Sequence, residues 1–374
     1  MATGERTRLF PGPVRPRPGA RTALATLRGR DYVVAIACEV SVGLIANPVS
    51  ARDIRRVITN ASSLQVSDRT AIVMRALAAL GAVGIEHVVA MPDKKGITAL
   101  LDRALGREQA MGHRFPEVEL LDMGVTSTVA DTHTAARMMA DRGVAAIIVL
   151  GGDGTHRAVA SCCGDVPIAG LSTGTNNAYP ELRESTITGL AVGLHATGAA
   201  PPSVAVVDNK LLEVSINDGE TTDVALVDVV ASTDRFIGAR ALWRTETLVE
   251  VFVTFADPEA IGMSAIAGAL QPVGRTDPHG LHVELRPGSE RRVLAAIGPG
   301  MVEPIGIDGW RDLEPGVARP VSARAGTLAL DGERELELGV DDRAEVVLRS
   351  GGFRSIDVGG VMRWAAASGH LLTR

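Results

Sequence analysis

The stretch VAAIIVLGGDGTHRAVASCCGDVPIAGLSTGTNNAYP, Val144 to Pro180, holds two glycine-rich turns, each placed directly after a short apolar run. The first run ends in Gly151-Gly152-Asp153-Gly154-Thr155, the second in Gly174-Thr175-Asn176-Asn177. Short aliphatic runs separated by a helical pattern read as neighbouring parallel strands joined by a crossover. A parallel sheet binds ligands beyond the carboxyl ends of its strands, and both turns fall at such ends.

Outward from this stretch the same alternation continues. SVGLIAN, EHVVAMP, EVELLD, AAIIVL and VPIAGLS read as strands; DIRRVITNASSL, DRTAIVMRALAALG, GITALLDRALGREQAMG and TVADTHTAARMMADRG read as helices between them. That order predicts an α/β lobe over residues 41–200, with a parallel sheet covered on both faces. Beyond GLHATGAAPPS the strands follow one another: VAVVDNKLLEVSIND, DVALVDVVAS, LHVELRP, RRVLAAIG, GTLALDGERELELG and AEVVLRS. A period near two with Gly, Pro and Asp punctuation predicts a mostly antiparallel β lobe over 201–348. Residues 241–270 break the series and read as two helical pieces. The last segment, 349–374, contains the helical VGGVMRWAAASGHLL and is expected to return to the first lobe.

At 374 residues the chain exceeds one comfortable core, which is consistent with two lobes and a cleft. Charge is uneven. Residues 1–30 carry seven Arg and one Glu, so the net −6 leaves −12 for the remainder. An acidic body lacks the basic stripe of a nucleic-acid surface. Residues 1–40 read as an Arg/Pro-rich head, largely disordered and without the apolar segment of a secretory signal. The longest aliphatic stretches fall far below the roughly 20 residues that span a bilayer. Cys38, Cys162 and Cys163 suggest neither a disulfide framework nor a zinc site, in keeping with a reducing cytoplasm. Only three lysines stand beside 35 arginines, so arginines are not counted here as phosphate ligands.

Gly151, Gly152 and Gly154 would let a phosphate chain approach the backbone, while a helix beginning near Thr155 would aim free N–H groups at it. The same residues also suit a plain strand-to-helix turn. The chain has no Walker-type GxxxxGK[ST], so a nucleotide would be held by other loops. Asn176 and Asn177 can equally tolerate left-handed turn geometry or cap a helix. Asp131 and Thr132 read as helix-start residues, His156 as a locally bonded histidine and Arg157 as an exposed helical arginine. Asp331 and Glu333 in LDGERE sit at a hairpin turn, where Asp-Gly is the ordinary dipeptide.

GGDGT, followed by GTNN and preceded by a first strand ending IANP, resembles the superfamily of NAD kinases, diacylglycerol kinases and sphingosine kinases. VGLIANPVSARDIRR, DTHTAARMMADRGV, LGGDGTHRAV and LSTGTNNAYP together are most similar to the ATP-NAD kinase-like family named for acetoin-catabolism protein X. The resemblance implies an α/β lobe plus a β-sandwich lobe, and a kinase using ATP and Mg²⁺ to phosphorylate a hydroxyl of a small-molecule acceptor. It implies that Gly151, Gly152, Gly154 and Thr155 hold phosphates. Asn47 with Gly174, Thr175, Asn176 and Asn177 would enclose the nucleotide, and Asp153 would face the reacting hydroxyl. Glu333 or Asp331 would be a second acid-base or Mg²⁺-positioning group, matching the DGE of the lipid-kinase branch. NAD or a related nucleotide is the first acceptor implied; a lipid or polyol acceptor, or a non-catalytic nucleotide-binding accessory protein of a catabolic pathway, are the alternatives. A homo-oligomer is compatible with all of these. The chain departs from the lipid-kinase pattern at Asn176-Asn177, where that branch has Asn-Asp, and from the NAD kinase pattern in lacking its later Thr-Gly-Ser-Thr segment.

Overall fold

The computed structural model describes residues 40–48, 64–173, 177–237 and 240–372. All of the head but Val40, all of the helix expected over 53–64 but Leu64, and Gly174, Thr175 and Asn176 lie outside the described residues.

The first half alternates as its apolar pattern dictates: β1 (Ser41–Ala46), α1 (Val66–Ala82), β2 (His87–Ala90), α2 (Ile97–Ala110), β3 (Glu117–Leu120), α3 (Val129–Asp141), β4 (Ile147–Gly151), α4 (Asp153–Ala160), β5 (Ile168–Ser172) and α5 (Ser185–Ala196). Several helix starts are fixed by their own side chains. Asp68 takes the Gln65 N–H at 2.9 Å at the start of α1. Thr128 caps α3, and Asp131 accepts the N–H groups of Thr126 and Ser127, holding Ser127 at φ 62°. Asp131 is thus a helix-start residue. Helix α4 begins at Asp153, two residues earlier than the glycine pattern suggests.

The strands from β1 to β5 are parallel, in the order β3-β2-β1-β4-β5. Every residue of β4 is buried, which explains its unbroken aliphatic sequence. One face carries Val42, Leu44, Ile148 and Leu150 against α1, α5 and the C-terminal helix; the other carries Ile45, Ile147 and Val149 against α3 and α4.

After α6 (Pro202–Ala205) come β6 (Val206–Ile216), β7 (Thr221–Ala225), β8 (Asp228–Ser232), β9 (Leu248–Val253), α7 (Ser264–Gly268), β10 (Gly280–Leu285), β11 (Arg292–Gly298), β12 (Met301–Leu313), β13 (Ala318–Pro320), β14 (Gly326–Leu330), β15 (Glu333–Leu338), β16 (Ala344–Ile356) and α8 (Val358–Ala367). β16 lies parallel to β5 at Ser355 and Ile168, then pairs antiparallel with β6, so the first sheet continues through β16, β6 and β7. The second sheet is antiparallel, in the order β11-β12-β10-β9-β8-β14-β15. It faces the extension of the first across a core of Leu212, Val214, Phe252, Leu328 and Val346. Helix α8 places Val361 and Ala365 in the core of the first sheet, beside α5 and α6.

One expectation is corrected. Residues 241–270 do not form two helical pieces: β9 runs through them as a strand, and α7 is their one helix. β9 sends Phe252 to the core between the sheets, and Val251 and Val253 to the core beyond. A strand buried on both faces has no polar alternation, and LVEVFV then passes for one face of a helix. No helix among the described residues is long and apolar enough to cross a membrane.

Candidate functional site

β1 and β4 are neighbours, yet the chain leaves them in opposite directions along the sheet, β1 toward β2 and β3, β4 toward β5. Crossovers on opposite faces leave a crevice between those two carboxyl ends. Asn47 follows β1 and the first glycine turn follows β4, and the Asn47 amide donates to Thr155 Oγ1 at 2.9 Å across the gap. Gly152 caps α4 in extended geometry without a side-chain bond. The N–H groups of Gly152 and Gly154 make no hydrogen bond among the described residues. A helix start with unbonded amides at a switch point is able to receive an anion.

The glycines differ in purpose. A Cβ on Gly151 would lie 2.5 Å from the Thr155 side chain, so that position serves close packing. A Cβ on Gly154 would meet nothing nearer than Glu333 Oε2 at 4.0 Å, so that position keeps the crevice wall low.

The residues that follow the second turn are braced by the first. Asp153, almost fully buried, accepts the N–H of Ala178 on Oδ2 and of Tyr179 on Oδ1, both at 2.9 Å. From the other side Arg275 donates to the Ala178 and Tyr179 carbonyls at 2.8 and 3.0 Å, its guanidinium 4.3 Å from the centre of the Phe255 ring. The Asn177 amide donates to Ser172 Oγ at 2.7 Å, which ties Asn177 to the end of β5. Asp153 and Asn177 therefore both have a structural task at this edge.

Across the crevice stands the β14–β15 turn. Asp331, at φ 51°, is buried; Oδ1 accepts the N–H groups of Leu226 and Val227 at 3.0 and 2.8 Å. Burial pushes its carboxyl above the usual range, against the pull of Arg157 and the amides. Glu333, half-buried, is the carboxylate beside Gly154. Arg157 is not the exposed helical arginine its position suggests. Its side chain is 12% exposed and lies 2.8 Å from Glu335, 3.5 Å from Asp223 and 3.8 Å from Asp331. Those three carboxylates raise the guanidinium pKa further, although burial alone would lower it.

Two family models match the chain. Residues 42–198 match the ATP-NAD kinase N-terminal domain, and residues 210–351 the acetoin catabolism protein X C-terminal domain. The chain is also 58% identical, over 336 residues, to acetoin catabolism protein X of Cupriavidus necator; the match covers 88% of this chain and 93% of that protein. The chain belongs to the acetoin catabolism protein X family.

In this member of the acetoin catabolism protein X family the two matched segments meet at the crevice, since β4 and the glycine turn lie in the first and the β14–β15 turn in the second. The NAD kinase-type segment suggests ATP and a divalent metal. The unbonded amides and the open wall over Gly154 fit a polyphosphate. Among the described residues no group of three His, Cys, Asp or Glu side chains is arranged to hold a metal. Glu333 and Asp153 would supply single carboxylates, the donor chemistry of a Mg²⁺ held chiefly by substrate phosphates.

Sequence reasoning missed Arg69. It is 1% exposed, and its Nη1 donates to the Asn47 carbonyl at 2.8 Å and to Thr173 Oγ1 at 3.3 Å. Because the Thr173 N–H also bonds the Gly151 carbonyl at 3.1 Å, the ends of β1, β4 and β5 are tied together at this point. A signal was present: Arg69 falls on the α1 stripe of Val73, Ala76, Leu77 and Leu80, where a charged side chain must be paired inside the protein. His156 is fully buried, its Nδ1 donating to the Gly152 carbonyl at 2.8 Å, and burial lowers its pKa to about 4. It is a neutral structural histidine beneath the turn.

Proposed function

We propose that the protein is an ATP-dependent kinase that transfers a phosphoryl group to a hydroxyl of a small molecule, with NAD or a related nucleotide the first acceptor to test. The observation that carries this reading is the meeting of Gly154 and Glu333: a helix start with unbonded amides and a carboxylate from the other matched segment come together there, Glu333 Oε2 lying 4.0 Å from the position of a Cβ on Gly154. Gly152 and Gly154 N–H groups would bind phosphate oxygens. Asp153 sits at the first turn of that helix and binds the Ala178 and Tyr179 N–H groups, which holds its carboxylate at the edge of the crevice. It would orient the acceptor hydroxyl and take its proton as the phosphoryl group moves from the nucleotide to that oxygen and ADP leaves. Glu333 would hold the metal side of the nucleotide; Mg²⁺, when bound with ATP, supplies charge neutralisation on the phosphates.

A second reading has its own support. Both Asp153 oxygens already hold the second turn, which is what a nucleotide-binding accessory protein without turnover would need. The two separate on one experiment. Purified protein with Mg-ATP and a panel of nucleotide, polyol and lipid acceptors is scored for ADP release above the no-acceptor background. Acceptor-dependent release supports the kinase; ATP binding with no release from any acceptor supports the accessory protein.

A further inference from the structure

We propose that Arg157 is a positioning residue that sets Glu333 against the first glycine turn, by gripping the β-rich half from the same helix face that carries Gly154. The inference rests on the kinase reading for its catalytic consequence, and on geometry alone for the grip.

Gly154 and Arg157 are three residues apart on α4 and so lie on one face of it. Glu333 and Glu335 are two apart on β15, and both side chains reach α4, Glu335 from the bulge where the β14–β15 register shifts. The pairs form successive rungs between helix and strand: Gly154 faces Glu333, whose Oε2 is 4.0 Å from the position of a Cβ on that glycine, and Arg157 binds Glu335 at 2.8 Å. A slip of the strand that displaces Glu333 must break the second rung.

Two further contacts fix the remaining directions. Arg157 reaches Asp331, two residues before Glu333, and Asp223 on β7, so one guanidinium spans the turn, the strand after it and the edge of the extended first sheet. Without that cation three carboxylates would face one another in a half-buried space, and their repulsion would open the hairpin away from α4. Arg240 binds the other oxygen of Glu335 at 2.8 Å, which leaves the carboxylate pinned between two arginines. A lysine offers a point charge in place of the planar fork and cannot reproduce all three contacts. Among the described residues Glu335 and Asp223 make no hydrogen bond or ion pair to the glycine turn, so Arg157 acts on the crevice through Glu333 and is not itself a catalytic residue.

The test uses the full chain as wild type, Arg157→Lys, Glu333→Gln and the double variant. Hydrogen exchange is read first, without any ligand. Arg157→Lys is expected to speed exchange at the Leu226 and Val227 amides, which donate to Asp331, and along residues 330–335, with α1 unchanged. Turnover is read second. Arg157→Lys is expected to lower kcat by about tenfold to a hundredfold with KM for ATP nearly unchanged, the scale of a misplaced group. Glu333→Gln should cost far less in the Arg157→Lys background than in the wild type. If Arg157→Lys does not fold, Glu335→Gln, which loosens one contact of the three, should move both readings the same way by less.

Unchanged exchange at those amides overturns the grip. Full additivity of Arg157→Lys with Glu333→Gln, or a rise in KM for ATP with kcat intact, overturns the positioning role and leaves a merely structural arginine. Wild-type protein that turns over no acceptor removes the kinase reading, and the exchange measurement still decides the grip.

Discussion

The two walls of the crevice are made of different materials. The α/β wall is backbone: unbonded amides of Gly152 and Gly154, the low profile of Gly154, and strand ends tied by Asn47, Arg69 and Thr173. The β-rich wall is side chain: Glu333 placed by an arginine, three carboxylates and a turn residue at positive φ. The first wall is secured by neutral and charged hydrogen bonds among elements of the α/β half, up to 108 residues apart, the second by an ion pair between residues 178 apart that joins the α/β half to the β-rich half. Binding should therefore fail on substitution of the first wall, and stability or alignment on substitution of the second.

The largest stability effect is expected from the β-rich wall. Arg157→Met leaves Asp331, Asp223 and Glu335 without their shared cation and should cost about 3–5 kcal/mol, read from the denaturant midpoint. A loss within surface-substitution range, about 0.5 kcal/mol, would mean that the three carboxylates are held by something else.

Acid tests the α/β wall. His156 stays neutral in the folded protein down to about pH 4, while in the unfolded chain it takes a proton below its ordinary value of 6.5. Protons then bind more to the unfolded state, so stability is present above pH 6.5 and is lost as pH falls toward 4, by up to about 3 kcal/mol from this residue. His156→Asn keeps a donor near the Gly152 carbonyl and should flatten that part of the stability curve. An identical slope in the variant would assign the acid loss elsewhere.

The two glycines of the first wall should separate packing from binding. Gly151→Ala forces a methyl into the Thr155 side chain and should cost about 1–3 kcal/mol. Gly154→Ala has room and gains helix propensity, so its stability should change by less than about 1 kcal/mol, in the favourable direction, while ATP affinity falls as the methyl enters the crevice. Unchanged ATP affinity in Gly154→Ala would move the nucleotide away from this turn.

The difference between the walls also explains what could be read in advance. The glycine turns, the parallel order and Asn47 follow from runs of a few residues each, and the fold places Asn47 and Thr155 in contact. Arg157 misled, because the exposure of a helical side chain depends on what packs over it, here a hairpin more than a hundred residues later. Arg69 was hidden by composition, one of 35 arginines in the chain. β9 misled for a third reason: buried on both faces, it had lost the alternation that marks a strand. Asp331 and Glu333, adjacent in one turn motif, are divided by the backbone between interior and crevice, which spacing alone does not reveal.

The central claim is that Asp153 and Glu333 act on a triphosphate bound over Gly154. The most direct measurement is ATP affinity beside acceptor-dependent ADP release for wild type, Asp153→Asn and Glu333→Gln. We expect Glu333→Gln to bind ATP within about threefold of wild type while transfer falls by about a hundredfold or more, and Asp153→Asn, which also loses one of its two amide contacts beside the second turn, to lose transfer by more than it loses ATP affinity. Transfer at the wild-type rate in either variant, or ATP binding that is indifferent to Gly154→Ala, would contradict it.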